Sequence, residues 1–530
     1  MTAPSAVLAS SAPTQRRRPV SRWWWALAAI GLAPTLIPTL TLVGSVVSGD
    51  AVASVPAGRL AELLANTLLL AITVTATSVG IGIATSWVTT RTDLPGARAL
   101  SILVTLPLVM PSYVVALTLL GAGGPRGVIT ELLGLESFPA LTGFWGSWLA
   151  LTVFAVPFVH LGAVPALRKL DNSLEEAARG LGSSRWTAFR TVTVPLLRPT
   201  IAASSLLVAL YTISDFGAVS LLRYDTFTRA IYAQFQGRID RRPALTLAVM
   251  LMVVAIGIVV AERRLRRKAT YHKNRPGRTL VLQHLGPIGR TVAYAGFGGL
   301  ISVSLVIPVS VLTAWVVRGL GSGQNLGDIW ADAARSLGVS VAAAVAAAII
   351  AIPVAVVIVR DRTKMAPIVE TLTWTSYSLP HITVGIALVT FALEVVRPFY
   401  QTSFLVVIAY LAMFLPITVG TAADALRRIS PDTEDASRSL GKSAISTVFR
   451  ITVPLMAPGL LAGGALVFLT AMKELPATLL LRPNGFETLA IRIWATTGEG
   501  FYTRAGAAAL VLLAVSAIPL TLVTLRDLFD

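Results

Sequence analysis

The chain has 530 residues, 55% of them hydrophobic and only 13% charged, with a mean hydropathy of +0.74, whereas soluble domains carry about 25% charged residues. This composition excludes a soluble enzyme and makes lipid the solvent for most of the chain. Cysteine is absent, which excludes disulfides, thiolate metal ligands and iron–sulfur clusters; the net charge of +18 first reflects membrane topology and does not point to nucleic acid.

A spanning helix needs about 20 apolar residues. Runs near that length lie at 23–47, 63–88, 99–122, 145–166, 201–222 and 244–260, and after a basic stretch at 291–317, 336–359, 366–393, 404–423, 459–481 and 505–525. The sequence thus predicts an all-α polytopic membrane protein with twelve transmembrane helices. The first run follows Arg16, Arg17 and Arg18 but exceeds a signal-peptide apolar region, and Trp23, Trp24 and Trp25 suit an interfacial anchor, so it reads as retained.

With the N-terminus inside, the tails and even-numbered connections hold 30 of the 44 Lys and Arg residues. That bias predicts a multi-pass protein of the cytoplasmic membrane with both termini cytoplasmic. One outer segment, residues 223–243, is basic for its side, with Arg223, Arg229, Arg238, Arg241 and Arg242 against Asp225 and Asp240. It reads as a solvated loop or as a docking surface for an extracellular partner.

Shifting the chain by 259 residues aligns 166–199 with 425–458 without a gap, and 14 of the 34 positions are identical. The match continues to Ser214-Asp215 on Lys473-Glu474, and at a shift of 269 Pro111 falls on Pro380. Six spans separate the copies, so both have the same orientation, as two parallel six-helix repeats. The expected organisation is a cytoplasmic tail (1–22), a first repeat (23–262), a basic cytoplasmic linker (263–290) and a second repeat (291–530).

The best-matched segment is the connection between the fourth and fifth spans of each half, where helix punctuation predicts a folded element. Asn172 or Ser173 can cap a short helix whose first turn holds Glu175 and Glu176; Pro431 and Asp432 precede Glu434 and Asp435 in the same way. Ala177, Ala178, Ala436 and Ser437 keep its surface low, and Gly182 and Gly441 can end it in the left-handed conformation. A second short helix is expected to run to Pro195 and Pro454. Small residues and carboxylates on a duplicated turn suit docking into grooves on a twofold partner.

These residues resemble the coupling loop of the permease subunits of ATP-binding-cassette importers, which reads Glu-Ala-Ala, three residues, Gly, nine residues, then Ile-x-Leu-Pro. The first copy gives Glu176-Ala177-Ala178, Gly182 and Val192-Thr193-Val194-Pro195; the second gives Asp435-Ala436-Ser437, Gly441 and Ile451-Thr452-Val453-Pro454. The fused form is similar to the ferric-iron subgroup, notably at 214–228 and 472–494. The resemblance implies a type I importer permease fold, two cytoplasmic ATPase subunits bound by the coupling loops, and an extracytoplasmic substrate-binding protein. It also implies alternating access with no catalysis and no cofactor on this chain.

No catalytic constellation competes with that reading. Gly441-Lys442-Ser443 lacks the earlier glycine of a phosphate-binding loop, since position 436 is Ala436, and the four histidines form no H-E-x-x-H motif. Ionisable residues inside apolar runs usually face a bundle interior or cavity, which singles out Asp215, Glu370, His381, Lys473 and Glu474. Asp215 and Glu474 either touch a passing hard cation, or lock the helix break or pair with Lys473 or a neighbouring helix. Tyr113, Tyr377 and His381, beside Pro111 and Pro380 with Ser112, Ser376 and Ser378, either line a polar passage or satisfy backbone freed by the prolines; no resident metal site is expected. Rival cargoes are thiamine and other small solutes; the rival of another class is an ion-coupled secondary transporter, which the position of the duplicated loop disfavours.

Overall fold

The computed structural model describes residues 20–50, 55–123, 127–132, 134, 136, 139–170, 173–237, 240–267, 282–361 and 363–529. All twelve apolar runs fall on helices. Among the described residues nine helices, including Arg22–Val47, Ala57–Arg91, Gly143–Lys169, Ile329–Arg360 and Ser403–Arg427, are continuous and long enough to cross a bilayer. The third run of each half is instead a bent pair: Ala97–Val109 with Ser112–Ala122 at 96°, and Ala366–Ser378 with His381–Glu394 at 102°. The last helix, Tyr502–Phe529, contributes a shorter apolar stretch over Tyr502–Ile518.

Proline chemistry sets these breaks. A residue before proline is pushed out of the helical region, and Met110 and Leu379 are extended, with ψ of 127° and 136°. The helix then restarts with Pro111 or Pro380 as its N-cap. Elsewhere proline widens a turn without ending the helix. The π-helical segments Phe189–Thr193, Ser302–Val306 and Val448–Thr452 each end two residues before Pro195, Pro308 or Pro454, whose missing N–H leaves an i−4 carbonyl without its usual donor. The second short helix, expected to run to Pro195 and Pro454 and lead into the membrane, is therefore continuous with the next span, as Trp186–Ser214 and Ile445–Met472.

Repeat-equivalent pairs build each half, Ala57–Arg91 on Gly143–Lys169 and Ile329–Arg360 on Ser403–Arg427. Small residues allow close approach: a Cβ on Gly82 would lie 2.5 Å from Val159 Cβ, and one on Gly463 would lie 2.7 Å from Thr418 Cα. The first helix, Arg22–Val47, packs on the second half, against Ile329–Arg360 and His381–Glu394. Leu69, Ile72, Val341 and Ile349 are exposed and suit contact with lipid.

Two expectations are corrected at the surface. Residues 223–243 do not form a plain loop, since Phe227–Gly237 is a helix that buries Phe227 and Ile231; Asp225 is paired with Arg59 and Arg229. Glu370, singled out inside an apolar run, is half exposed and pairs with Arg427 at 3.0 Å.

The end of the linker is tied to the first repeat. Thr92 and Gln283 form an isolated parallel bridge, and Asp93 accepts the Leu285 N–H at 2.8 Å, with His284 Nδ1 at 2.6 Å and Arg290 Nη2 at 2.9 Å. The Leu285 backbone bond, followed by His284 and Arg290, holds the Asp93 carboxyl at about 2, below its ordinary 3.8.

Two outcomes follow. Gly463→Val should cost about 1–3 kcal/mol by overpacking, read as a lower melting temperature in detergent, while Gly44→Ala, at a position with no neighbour within 4 Å, should not. Because folding lowers the Asp93 pKa, its stabilisation is complete above 3.8 and fades as pH falls through about 2. The melting-temperature gap between the wild type and Asp93→Asn should accordingly shrink between pH 4 and pH 2.

Candidate functional site

The duplicated elements fold alike. Ser173–Gly180 and Pro431–Ser439 are short helices; Ser430 caps the second through the Asp432 N–H, while Asn172 lies outside the described residues. Gly182 and Gly441 have φ of 91° and 81°, a region open to glycine at little cost. The Gly182 N–H donates to Arg179 O at 2.9 Å and Ser183 N–H to Ala178 O at 3.1 Å; Gly441 and Lys442 repeat this on Arg438 and Ser437 at 3.0 and 3.3 Å. These paired bonds satisfy the last helical carbonyls.

Adjacent carboxylates on each short helix have different roles. Glu175 accepts Thr193 Oγ1 at 3.2 Å and Gln283 Nε2 at 2.8 Å. Its equivalent Glu434 accepts Thr452 Oγ1 at 3.3 Å and Arg360 Nε and Nη2 at 3.2 and 3.1 Å. Both anchor the element inward. Glu176, Ala177, Asp435 and Ala436 are exposed, Ala178 is half-buried, and Ser437 is buried against Thr447 at 3.0 Å. Beyond each helix stand exposed apolar side chains at matching positions, Leu181 (89%) and Leu440 (81%), Trp186 (69%) and Ile445 (67%).

Sequence reasoning missed the arginines beneath these elements. Arg91 Nη2 donates to Leu167 O and Leu170 O at 2.7 and 3.1 Å, and Arg360 Nη2 to Ile429 O at 3.1 Å. Arg91 and Arg360 coincide at the shift of 269, the one signal that would have found them.

The intramembrane candidates converge on a cavity of about 210 Å³ between the halves, whose lining includes Tyr113, Asp215, Tyr377, His381, Lys473 and Glu474. Asp215 accepts the Ser112 hydroxyl and, at 2.9 Å, the Ala218 N–H. Glu474 accepts His381 Nδ1 at 2.8 Å and the Ala477 N–H at 3.0 Å. The donor pairs are repeat-equivalent: Ser112 with His381 at 269, Ala218 with Ala477 at 259. Each carboxylate thus spans two helix restarts, where N–H groups and dipole favour an anion.

The side chains of Asp215 and Glu474 that lock the breaks also line the cavity. Pairing with Lys473 is corrected: Lys473 Nζ donates to Leu108 O across the halves at 2.7 Å, and the Tyr113 hydroxyl faces Lys473 O at 3.5 Å. The sequence reading did not reach the aromatic wall, where Phe154 stacks on Tyr211 at 4.4 Å. Among the described residues no group of three or more His, Asp or Glu could hold a metal.

Comparison with known proteins agrees with this architecture. The profile of the family described as binding-protein-dependent transport system inner membrane component matches twice, at residues 63–262 and 359–530. The Fe(3+)-transport system permease protein FbpB 2 of Haemophilus influenzae is 31% identical over 88% of this chain and 90% of its own length. The ferric transport system permease protein FbpB of Actinobacillus pleuropneumoniae is 25% identical over 80% of this chain and 65% of its own. The molybdenum transport system permease protein ModB of Escherichia coli is 34% identical over 35% of this chain and 84% of its own. With the family domain present once in each half of a duplicated helical fold, the chain belongs to the binding-protein-dependent transport system inner membrane components, as a fused double permease of an ATP-binding-cassette importer.

Proposed function

We propose that this permease imports ferric iron by alternating access, driven by two cytoplasmic ATPase subunits and supplied by an extracytoplasmic binding protein. Both termini are cytoplasmic in this reading, with 23–262 and 291–530 as the repeats and 263–290 as the linker. The observation that carries it is the matched pair of exposed surfaces: Leu181, Trp186 and Glu176 on one short element, Leu440, Ile445 and Asp435 on the other. An exposed apolar side chain beside a carboxylate suits a groove with an apolar floor and a basic rim. Two such surfaces suit a motor with twofold symmetry.

Rigid anchoring lets these surfaces transmit force. Glu175, Glu434 and the arginines under them fix each element to the ends of spans, so ATPase closure would rock whole helices. Iron is favoured because the relative aligned over 88% of the chain is named for Fe(3+) transport. Molybdate is the second reading, since the molybdenum permease is 34% identical over its shorter alignment.

Proteoliposomes holding this chain, its ATPase and its binding protein should take up radiolabelled ferric iron only with ATP inside; molybdate uptake in its place would overturn the iron assignment. Leu181→Asp with Leu440→Asp should weaken ATPase co-purification by about 10-fold or more without changing the melting temperature. Glu434→Gln should instead cost about 3 kcal/mol of stability, by leaving Arg360 without its buried partner, whereas Asp435→Asn should stay within about 0.5 kcal/mol.

A further inference from the structure

Among the described residues every left-handed backbone position is glycine except two, Arg223 at φ 59° and Gln401 at φ 54°. A Cβ is disfavoured in that region, and such strain persists where the side chain it holds is used. Both side chains are exposed, so burial does not offset the cost. Both also lie at the end of the molecule remote from the duplicated short elements. Arg223 stands two residues before Asp225, which pairs with Arg59 at the opposite end of Ala57–Arg91 from Arg91. Gln401 stands before Ser403–Arg427, whose far end leads into the second element. Each half therefore carries one of the pair.

The repeat shows that the first of these turns does not need its arginine. A shift of 262 residues lays Tyr224-Asp225-Thr226 on Phe486-Glu487-Thr488 and Tyr232 on Trp494. The frame is copied as well: the Phe227 N–H donates to Thr67 Oγ1 at 3.2 Å, and the Leu489 N–H to Ser336 Oγ at 2.8 Å. On this frame Arg223 coincides with Gly485, whose φ is 73°. The Arg223 N–H donates to Ser220 O at 3.2 Å and its carbonyl accepts Arg229 Nη1 at 3.5 Å, backbone bonds that glycine makes equally.

The Arg223 guanidinium is also unengaged. Around it Arg59 and Arg229 pair with Asp225, Arg242 pairs with Asp240, and Arg241 lies over the Phe235 ring at 5.2 Å. Among the described residues Arg223 forms no ion pair. A planar fork of donors held out from a strained turn, on a segment rich in arginine, suits a carboxylate arriving from outside.

We propose that Arg223 and Gln401 are docking anchors for the extracytoplasmic binding protein, which presents a carboxylate to Arg223 and an uncharged polar group to Gln401. The inference rests on the importer reading for the partner and on the left-handed pair for the surface. With one anchor on each half, the docked protein bridges the halves. Because the arginine stands on the first half alone, the acidic side of the partner faces that half, and the partner seats in one orientation.

The test titrates the complete importer, with its ATPase and in nanodiscs, with its binding protein at low and at high salt. Arg223→Gly, which takes the residue of the sister turn, should lower affinity by about 10-fold or more at low salt. The loss should shrink at high salt, and the melting temperature should not fall. Arg223→Lys should retain part of the affinity. Gln401→Gly should weaken docking by about fivefold, equally at both salts. In proteoliposomes, uptake by Arg223→Gly should fall when the binding protein is limiting and recover when it is saturating. Wild-type affinity in either glycine variant, or a loss of affinity that comes with a lower melting temperature, would overturn the inference and leave the importer reading intact. If the unaltered importer fails to bind the binding protein, both the anchors and that partner fall.

Discussion

A backbone N–H or C=O freed inside hydrocarbon has no water to bond, and the centre of this protein is organised around that constraint. Pro111 and Pro380 interrupt the third run of each half, and further breaks follow Ser214 and Met472. Asp215 and Glu474 answer both kinds of break at once, each joining one helix restart to another through a side-chain donor and a backbone N–H. The polar lining of the cavity is thus a by-product of holding broken helices together. The cavity and the scaffold that shapes it are made of the same atoms.

Much of this was legible in the sequence, for reasons that differ from residue to residue. The bilayer demands long apolar runs, so the helices could be marked from hydropathy, and burial cost made Asp215, His381 and Glu474 conspicuous. Proline located the two bends but not their angles near 100°, which depend on what the restarted helix packs against; Gly217 sits so close to Tyr113 that a Cβ would lie 2.7 Å from Tyr113 Cβ. Glu175 and Glu176 are neighbours in sequence, and only their rotation about a short helix decides that one anchors and the other is exposed. Arg91 and Arg360 escaped notice because an arginine at the end of a span looks like a topology signal. The Phe227–Gly237 helix was hidden by the charges around it.

The duplication has been preserved in backbone and relaxed in chemistry. Ser112 and His381 occupy one position, as do Ser214 and Lys473, so the two sides of the cavity present different groups on equivalent frames. The anchors diverge too: Glu434 takes an arginine from its own half, whereas Glu175 takes Gln283 from the linker. Fusion into one chain permits this, because two identical subunits could not specialise separately.

Packing of the Arg22–Val47 helix on the second half has a consequence for biosynthesis. Its partner helix begins at Ile329, 282 residues after Val47. At a synthesis rate of about 5–20 residues/s, the earliest span waits on the order of 15–60 s for the surface it will occupy. The Arg22–Val47 helix therefore leaves the ribosome long before the surface it docks on, and it must pass that interval sheltered by lipid or by the insertion machinery.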